Sequence, residues 1–413
     1  MPSLAMRLGG DLGRNYWKLW GASAASNLAD GVFWIAFPLL AVRLTDSPVL
    51  VAGIMAVGRL PWLVFVLFAG ALADRLDRRR TMTSVALLRA LVAGGLAVGI
   101  AAGVVNLPIL YVTAFVLGVG ETLFDTAAQS IMPSLVDQDR LSRANGRLYA
   151  VELTMNQFVG PPLGGFLAGV AIALAFASSS AAFVIGAIAL VSLSGSFRPV
   201  APARDSTVLE DIREGLRYLF GHRLLRTLAL MVGVSNLASS AAFAVFVLYA
   251  VAPGPMGLDE TGFGVLMTTL AVGSLAGSFI VERAERRLGR ARLLLVAVLM
   301  SGLSLATPGL TASPWIVGAA FVASGLGVVM WNVVTVSLRQ RIVPDRLLGR
   351  LNASYRLLAW GSQPLGAVLG GVVGEMFGLP AVFIACGLGT ALLLFAFRTV
   401  TDRAIAAAET ALA

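Results

Sequence analysis

Apolar runs of twenty or more residues recur along the whole chain, and the arginines gather in the short segments between them. As a helix, such a run rises about 1.5 Å per residue and crosses roughly 30 Å of hydrocarbon. Composition points the same way. Charged residues fill 13% of the 413 positions and hydrophobic ones 58%, with a mean hydropathy of +0.85. Soluble domains carry about 25% charged residues, and a soluble chain of this size needs them to cover its surface. The chain reads as an all-α membrane protein.

The length rule gives about twelve spans. They begin near Trp17, Pro48, Thr81, Leu107, Arg147, Leu174, Leu224, Asp259, Leu293, Pro314, Leu351 and Leu379. The first is too long for the apolar core of a signal peptide and more spans follow it, so no cleaved leader is expected. One set of loops holds Arg75 to Arg80, Arg140 and Arg143, Arg198 to Arg226, Arg283 to Arg290, and Arg339 to Arg350. The intervening loops are almost free of basic residues, Arg43 being the exception. By the positive-inside rule the arginine loops and both termini are cytoplasmic. This placement also accounts for the net charge of +9 and the pI of 10.7 without nucleic acid as a partner.

A shift of about 207 residues lays the second half of the chain on the first. Ser26-Asn27-Leu28-Ala29 recurs as Ser235-Asn236-Leu237-Ala238, Gly118 and Gly120 fall on Gly325 and Gly327, and Gly70 falls on Gly277. Asp139-Arg140-Leu141 with Asn145 recurs as Asp345-Arg346-Leu347 with Asn352. Six spans per copy is even, so both copies insert with the same orientation, as two pseudo-symmetric six-helix bundles. The expected domains are 1–197, a connector 198–223, and 224–413, with a substrate path between the bundles near the midplane. In the connector, Thr207 to Glu210 fits a capping box, and Leu209, Ile212, Leu216 and Leu219 mark one face of a short helix. That helix is either interfacial, tying the halves together, or a solvated linker.

Gly70-Ala-Leu72-Ala73-Asp74-Arg75-Leu-Asp77-Arg78-Arg79-Arg80 resembles the loop signature between the second and third helices of the major facilitator superfamily. Gly70 permits close helix packing, and Asp74 suits the positive N-terminus of a partner helix. The resemblance implies a latch at this loop, formed by Gly70, Asp74, Arg75, Arg78 and Arg79; plain positive-inside anchoring explains the arginines alone. Asp77 replaces the usual second glycine, which puts the turn geometry in question. Gly160-Pro161-Pro162-Leu163-Gly164-Gly165 resembles the core of the antiporter signature, with Gly160, Pro161, Gly164 and Gly165 matching; a helix kink at a packing contact is the other reading. Ala29-Asp30-Gly31, Phe37-Pro38-Leu39, Arg59-Leu60-Pro61 and Gln363-Pro364-Leu365-Gly366 extend the resemblance toward a branch of siderophore exporters and macrolide or tetracycline efflux pumps. It implies the major facilitator fold and proton-coupled export from a bacterial inner membrane by alternating access. A monomer with no cofactor, driven by the proton gradient, is expected.

Ionisable groups inside a bilayer are costly, so each is a functional candidate. They are Asp30, Arg59, Arg89, Glu121, Asp125 and Glu152. Rise from the cytoplasmic ends places Asp30 and Arg59 roughly 20 Å deep, Glu121 roughly 16 Å, and Arg89 and Asp125 roughly 10–12 Å. Under the shift, all six fall on neutral residues of the second copy, which assigns proton coupling to the first half and substrate contacts to the second. Asp30 is the first candidate for proton carrier. Asp125 is either a coupling acid or the partner of Arg89, and Glu152 either couples, snorkels or pairs with Arg147. Candidate substrate contacts are Asn27, Phe33, Trp34, Asn236, Phe243, Phe246, Trp331, Asn332 and Gln363, each aromatic being otherwise a packing residue. A mostly apolar cavity with a few acids suits lipophilic compounds, cationic ones included.

No enzyme is expected. Cys386 is the only cysteine and His222 the only histidine, read as a solvated loop residue, so no disulfide and no metal cluster is expected. The single lysine, Lys18, is followed by leucine, which excludes a P-loop. A sensor or lipid scramblase on the same fold, a channel and a facilitator-type importer are the alternatives.

Overall fold

The structure is a computed structural model, and it describes residues 12–65, 76–195, 197 and 208–410. Gly70, Asp74 and Arg75 of the expected latch and Thr207 of the capping box lie outside the described residues.

The described chain is almost wholly helical. In order, the helices are α1 Arg14–Val42, α2 Pro48–Val64, α3 Arg78–Ala101, α4 Leu107–Ile131, α5 Leu141–Leu153, α6 Gly160–Val170, α7 Ile172–Val191 and α8 Val208–Gly221. There follow α9 Arg223–Ala250, α10 Glu260–Leu288, α11 Arg290–Leu310, α12 Pro314–Ile342, α13 Asp345–Phe377, α14 Leu379–Ala391 and α15 Asp402–Thr410. Ten stretches among the described residues are long and apolar enough to cross a membrane, and the chain is a multi-pass membrane protein. The second expected span is the 17-residue α2, which runs up to the undescribed segment. The fifth is broken, with a π turn Thr154–Val159 joining α5 to α6. Two prolines explain the break. Pro161 and Pro162 have no N–H to return to the preceding carbonyls, and the turn widens to redistribute the bonds that remain. Leu91, Phe279, Leu310 and Trp315 stay more than two-thirds exposed, which suits lipid as the solvent.

The helices gather into two compact units. The first comprises 1–44, 57–203 and 260–265; the second comprises 45–56, 204–259 and 266–413. Each therefore takes in the first turns of a helix from the other half of the sequence.

In the first unit α1 runs along α6 and α7, and α3 along α4 and α7. Tyr16, Leu19, Phe124 and Leu190 fill its core. A Cβ on Gly160 would lie 2.5 Å from the Gly31 Cα, and one on Gly118 would lie 2.3 Å from the Gly58 carbonyl oxygen. The second unit repeats both contacts. A Cβ on Gly366 of α13 would meet the Leu237 carbonyl of α9 at 2.2 Å, and one on Gly325 of α12 the Leu270 carbonyl of α10 at 1.9 Å. Backbone approaches this close need glycine, so the sequence repeat is also a repeat of helix contacts.

Three local expectations change. Asp77 needs no glycine-like conformation: with φ −64° it caps α3, accepting from Arg80 N at 3.0 Å. Arg78 and Arg79 consequently start the helix, and Arg79 Nη1 donates to the Leu193 carbonyl at 2.7 Å. His222 is a half-buried helix cap rather than a solvated residue. Its Nδ1 accepts from Leu225 N at 3.4 Å, and burial lowers its pKa below the ordinary value. The connector helix α8 is docked on protein. Glu214 pairs with Arg350, Tyr218 Oη donates to the Ile342 carbonyl at 3.3 Å, and Leu219 is fully buried. Arg43, the exception to the loop pattern, pairs with Glu260 at 2.8 Å in the first unit.

Candidate functional site

Four of the charges carried by the spans of the first unit come together in two pairs. Arg89 on α3 turns inward and is 1% exposed. Its guanidinium holds both oxygens of Asp30 on α1: Nη2 donates to Oδ1, and Nη1 to Oδ2 at 3.4 Å. Nη1 also donates to Ser26 Oγ at 3.1 Å, one turn earlier on α1. The guanidinium carbon lies 4.1 Å from the Phe183 ring centroid. Gly120 on α4 makes room for the arginine stem, since a Cβ there would come within 2.7 Å of Arg89 Cγ and Cδ. A cation this deep is tolerated because charge, hydrogen bonds and a ring face all meet it.

Asp30 is itself placed by the glycine contact. Next to it, Gly31 lets the π-turn backbone in, and a Cβ there would sit 2.6 Å from the Asn156 carbonyl oxygen. Gly164, one turn on in α6, faces the Val32 carbonyl at 2.9 Å by the same measure, and Gly165 faces that of Glu260 at 2.5 Å. The Gly160–Gly165 motif and Pro161 thus set the seat of α1 beside the carboxylate.

A second pair lies on α2 and α4, where Arg59 Nη1 stands 3.5 Å from Glu121 Oε1 with both side chains partly exposed. The Arg59 guanidinium sits 5.1 Å from the Trp34 ring centroid. One turn after Glu121, Asp125 makes no hydrogen bond or ion pair among the described residues. Glu121, Asp30, Glu152 and Arg89 are its charged neighbours. Of the two readings for Asp125, partnership with Arg89 is therefore not what the structure has: Arg89 belongs to Asp30. Glu152 makes no ion pair either, and Arg147 lies over the Trp17 ring at 5.6 Å.

The remaining candidates divide by exposure. Asn27 is buried and donates to the Ser23 carbonyl at 2.9 Å. Phe33 packs on Phe37, Phe176 and Phe183, with centroids 5.4–5.8 Å apart. In the second unit Phe246 packs on Phe321 and Phe383, and the half-buried Phe243 joins Phe321 at 5.6 Å. Asn236 Nδ2 donates to the Ala359 carbonyl at 2.7 Å, and the Gln363 carbonyl accepts from Ser240 Oγ at 2.7 Å. Phe33 and Phe246 are thus core residues here, and Asn27 and Asn236 are spent on backbone carbonyls. Trp34, Phe243, Trp331, Asn332 and the Gln363 side chain remain at least partly accessible.

Sequence reasoning missed Arg339. Counted with the loop arginines, it lies inside α12, 9% exposed. A signal was available: Trp331, Thr335 and Ile342 share its helix face at spacings of eight, four and three.

A multi-span helical membrane protein of duplicated units, with glycine seats and buried charge pairs, defines the class. The chain belongs to the major facilitator superfamily: the model of its transmembrane secretion effector family (MFS_3) matches residues 13–411. It is 29% identical over 390 residues to the multidrug efflux pump Tap of Mycolicibacterium fortuitum, covering 90% of this chain and 92% of that one. It is 24% identical over 361 residues to the enterobactin exporter EntS of Shigella boydii serotype 4, covering 87% and 85%. Its fold matches an inward-facing bacterial homologue of the iron transporter ferroportin with a TM-score of 0.71 at 18% identity, over 93% of this chain and 98% of that one.

Proposed function

We propose that the protein is a proton-coupled antiporter that exports lipophilic or amphipathic small molecules, multidrug- or siderophore-like, across a bacterial inner membrane by alternating access. It works as a monomer of about twelve spans with cytoplasmic termini, draws on the proton gradient and needs no cofactor. The names of Tap and EntS support the export direction and the breadth of substrate.

One observation carries the coupling: Asp30 and Glu121 each pair with an arginine, and Asp125, one turn after Glu121, pairs with none among the described residues. Protonating Asp30 strands Arg89 in a sealed site, at a cost of several kcal/mol. Protonating Asp125 breaks no ion pair. The carrier role therefore moves from Asp30 to Asp125, with Asp30–Arg89 as the fixed framework. A carboxylate beside other carboxylates binds a proton that relieves repulsion, and alternating solvent access lets it load on one side and release on the other.

The test uses the full chain in proteoliposomes with an imposed pH gradient and ethidium as the transported probe. Wild type accumulates ethidium uphill, and a protonophore abolishes this. Asp125→Asn loses uphill transport but keeps ethidium counterflow. Undiminished gradient-driven uptake by Asp125→Asn removes Asp125 from the role, and uptake indifferent to the protonophore removes antiport itself.

A further inference from the structure

Arg339 is a buried cation that pairs with no carboxylate among the described residues. It stands on the last turn of α12 in the second unit, and its guanidinium carbon lies 3.8 Å from the Tyr355 ring centroid on α13. Nε and Nη1 are shut away from solvent with no acceptor. Tyr355 Oη and Trp331 Nε1 are likewise buried and unsatisfied. The phenol lies beside Trp331, Thr335 and Arg339 without a hydrogen bond of ordinary geometry to any of them. A neighbouring charge is another cation, Arg356, which is exposed and lies over the Trp360 ring. Arg89 differs: a bidentate carboxylate, a hydroxyl and a ring meet it and only its Nε lacks an acceptor, whereas Arg339 has the Tyr355 side chain and no acid among the described residues.

Buried donors without acceptors are costly, and an uncompensated buried charge more so. Four such donor atoms converge here, on two helices, with a second cation near and no acid among the described residues. A guanidinium stacked on an aromatic face is met on its flat side only and keeps its N–H edge for an acceptor. A planar guanidinium, a phenol and an indole N–H together match an oxyanion, which accepts from all three.

We propose that Arg339, Tyr355 and Trp331 form a binding site for an oxyanion, the carboxylate or phosphate of a ligand, with Arg356 drawing it in. Arg339 swings off the Tyr355 ring as the anion enters and takes it in bidentate fashion. The Tyr355 hydroxyl and the Trp331 N–H donate to the same group. Asn332, exposed two turns before Arg339 on the same helix face, extends the polar stripe toward the rest of the ligand. The site uses none of the proton-coupling acids, so it does not depend on the antiport reading.

The test is thermal unfolding of the full-length protein in phosphatidylcholine nanodiscs, titrated at constant ionic strength with inorganic phosphate, with benzoate, and, in a separate arm, with phosphatidylglycerol in the bilayer. Wild type is stabilised by at least one of these, with an upward shift of a few degrees at saturation. Phosphate or benzoate acting alone identifies a soluble anion, and phosphatidylglycerol acting alone identifies a lipid headgroup. Arg339→Gln abolishes the response, and Tyr355→Phe, which keeps the ring, weakens the apparent affinity about tenfold. With no ligand added, Arg339→Met melts no lower than wild type, because it removes an uncompensated charge and keeps the packing volume. Wild type indifferent to all three probes, or Tyr355→Phe responding as wild type does, overturns the site.

Discussion

Replacing Asp30 with asparagine tests whether the Asp30–Arg89 pair is the framework of the first unit. The side chains are 9% and 1% exposed, so solvent screening does not soften the interaction. Breaking a buried pair from one side costs about 3–5 kcal/mol, because the survivor is left charged and dry. Arg89 retains the Ser26 hydroxyl and the Phe183 ring, which puts Asp30→Asn at the lower end, about 3 kcal/mol, or roughly a hundredfold in the folded-to-unfolded ratio. Arg89→Met alone costs a similar amount by stranding Asp30. Together the two changes remove both charges and leave an apolar side chain in the slot beside Gly120, so the double variant lies within about 1 kcal/mol of wild type. Equilibrium unfolding of the purified chain in detergent reads the cycle as a coupling energy of at least about 3 kcal/mol. A cost below about 1 kcal/mol for Asp30→Asn, or a double variant no more stable than the worse single one, refutes the reasoning.

Gly31→Ala drives a methyl to 2.6 Å from a π-turn carbonyl oxygen, and since backbone meets backbone there, α1 and α6 must part. A loss of about 1–3 kcal/mol in the same unfolding assay is expected. Gly215→Ala places a Cβ 2.3 Å from the Arg350 carbonyl oxygen and lifts α8 off α13, seen as faster proteolysis of the connector. Glu214→Gln at the same docking site removes a half-exposed ion pair, and its melting temperature stays close to wild type.

The helical order, the loop arginines and the glycine contacts were legible because each depends on spacing along one chain. Pairing was not, because it depends on helix starts and on the rotation of each helix about its axis. Counting from Thr81 put Arg89 level with Asp125. Capping by Asp77 starts α3 at Arg78, three residues sooner, which sets Arg89 about 4.5 Å deeper and within reach of Asp30. Arg339 was hidden by the twenty-residue rule, since α12 runs for 29 residues and carries the arginine inside its packed end. The π turn was announced by Pro161-Pro162, but its consequence, a backbone seat for Gly31 beside Asp30, appears only when α1 and α6 are brought together.

The two copies are thus unequal in a more specific way than a count of their charges suggests. Among the described span residues of the first unit, Asp30 and Glu121 each meet an arginine, while Asp125 and the shallower Glu152 do not. In the second a buried cation, Arg339, rests on a tyrosine ring without an acid among the described residues. A duplicated scaffold with purely structural charges would pair them all, since unpaired buried charge is what folding selects against most strongly. Unpaired acids in one copy and an unpaired guanidinium in the other are what a protein keeps when each is completed by something that arrives and leaves: a proton at Asp125 and an oxyanion at Arg339.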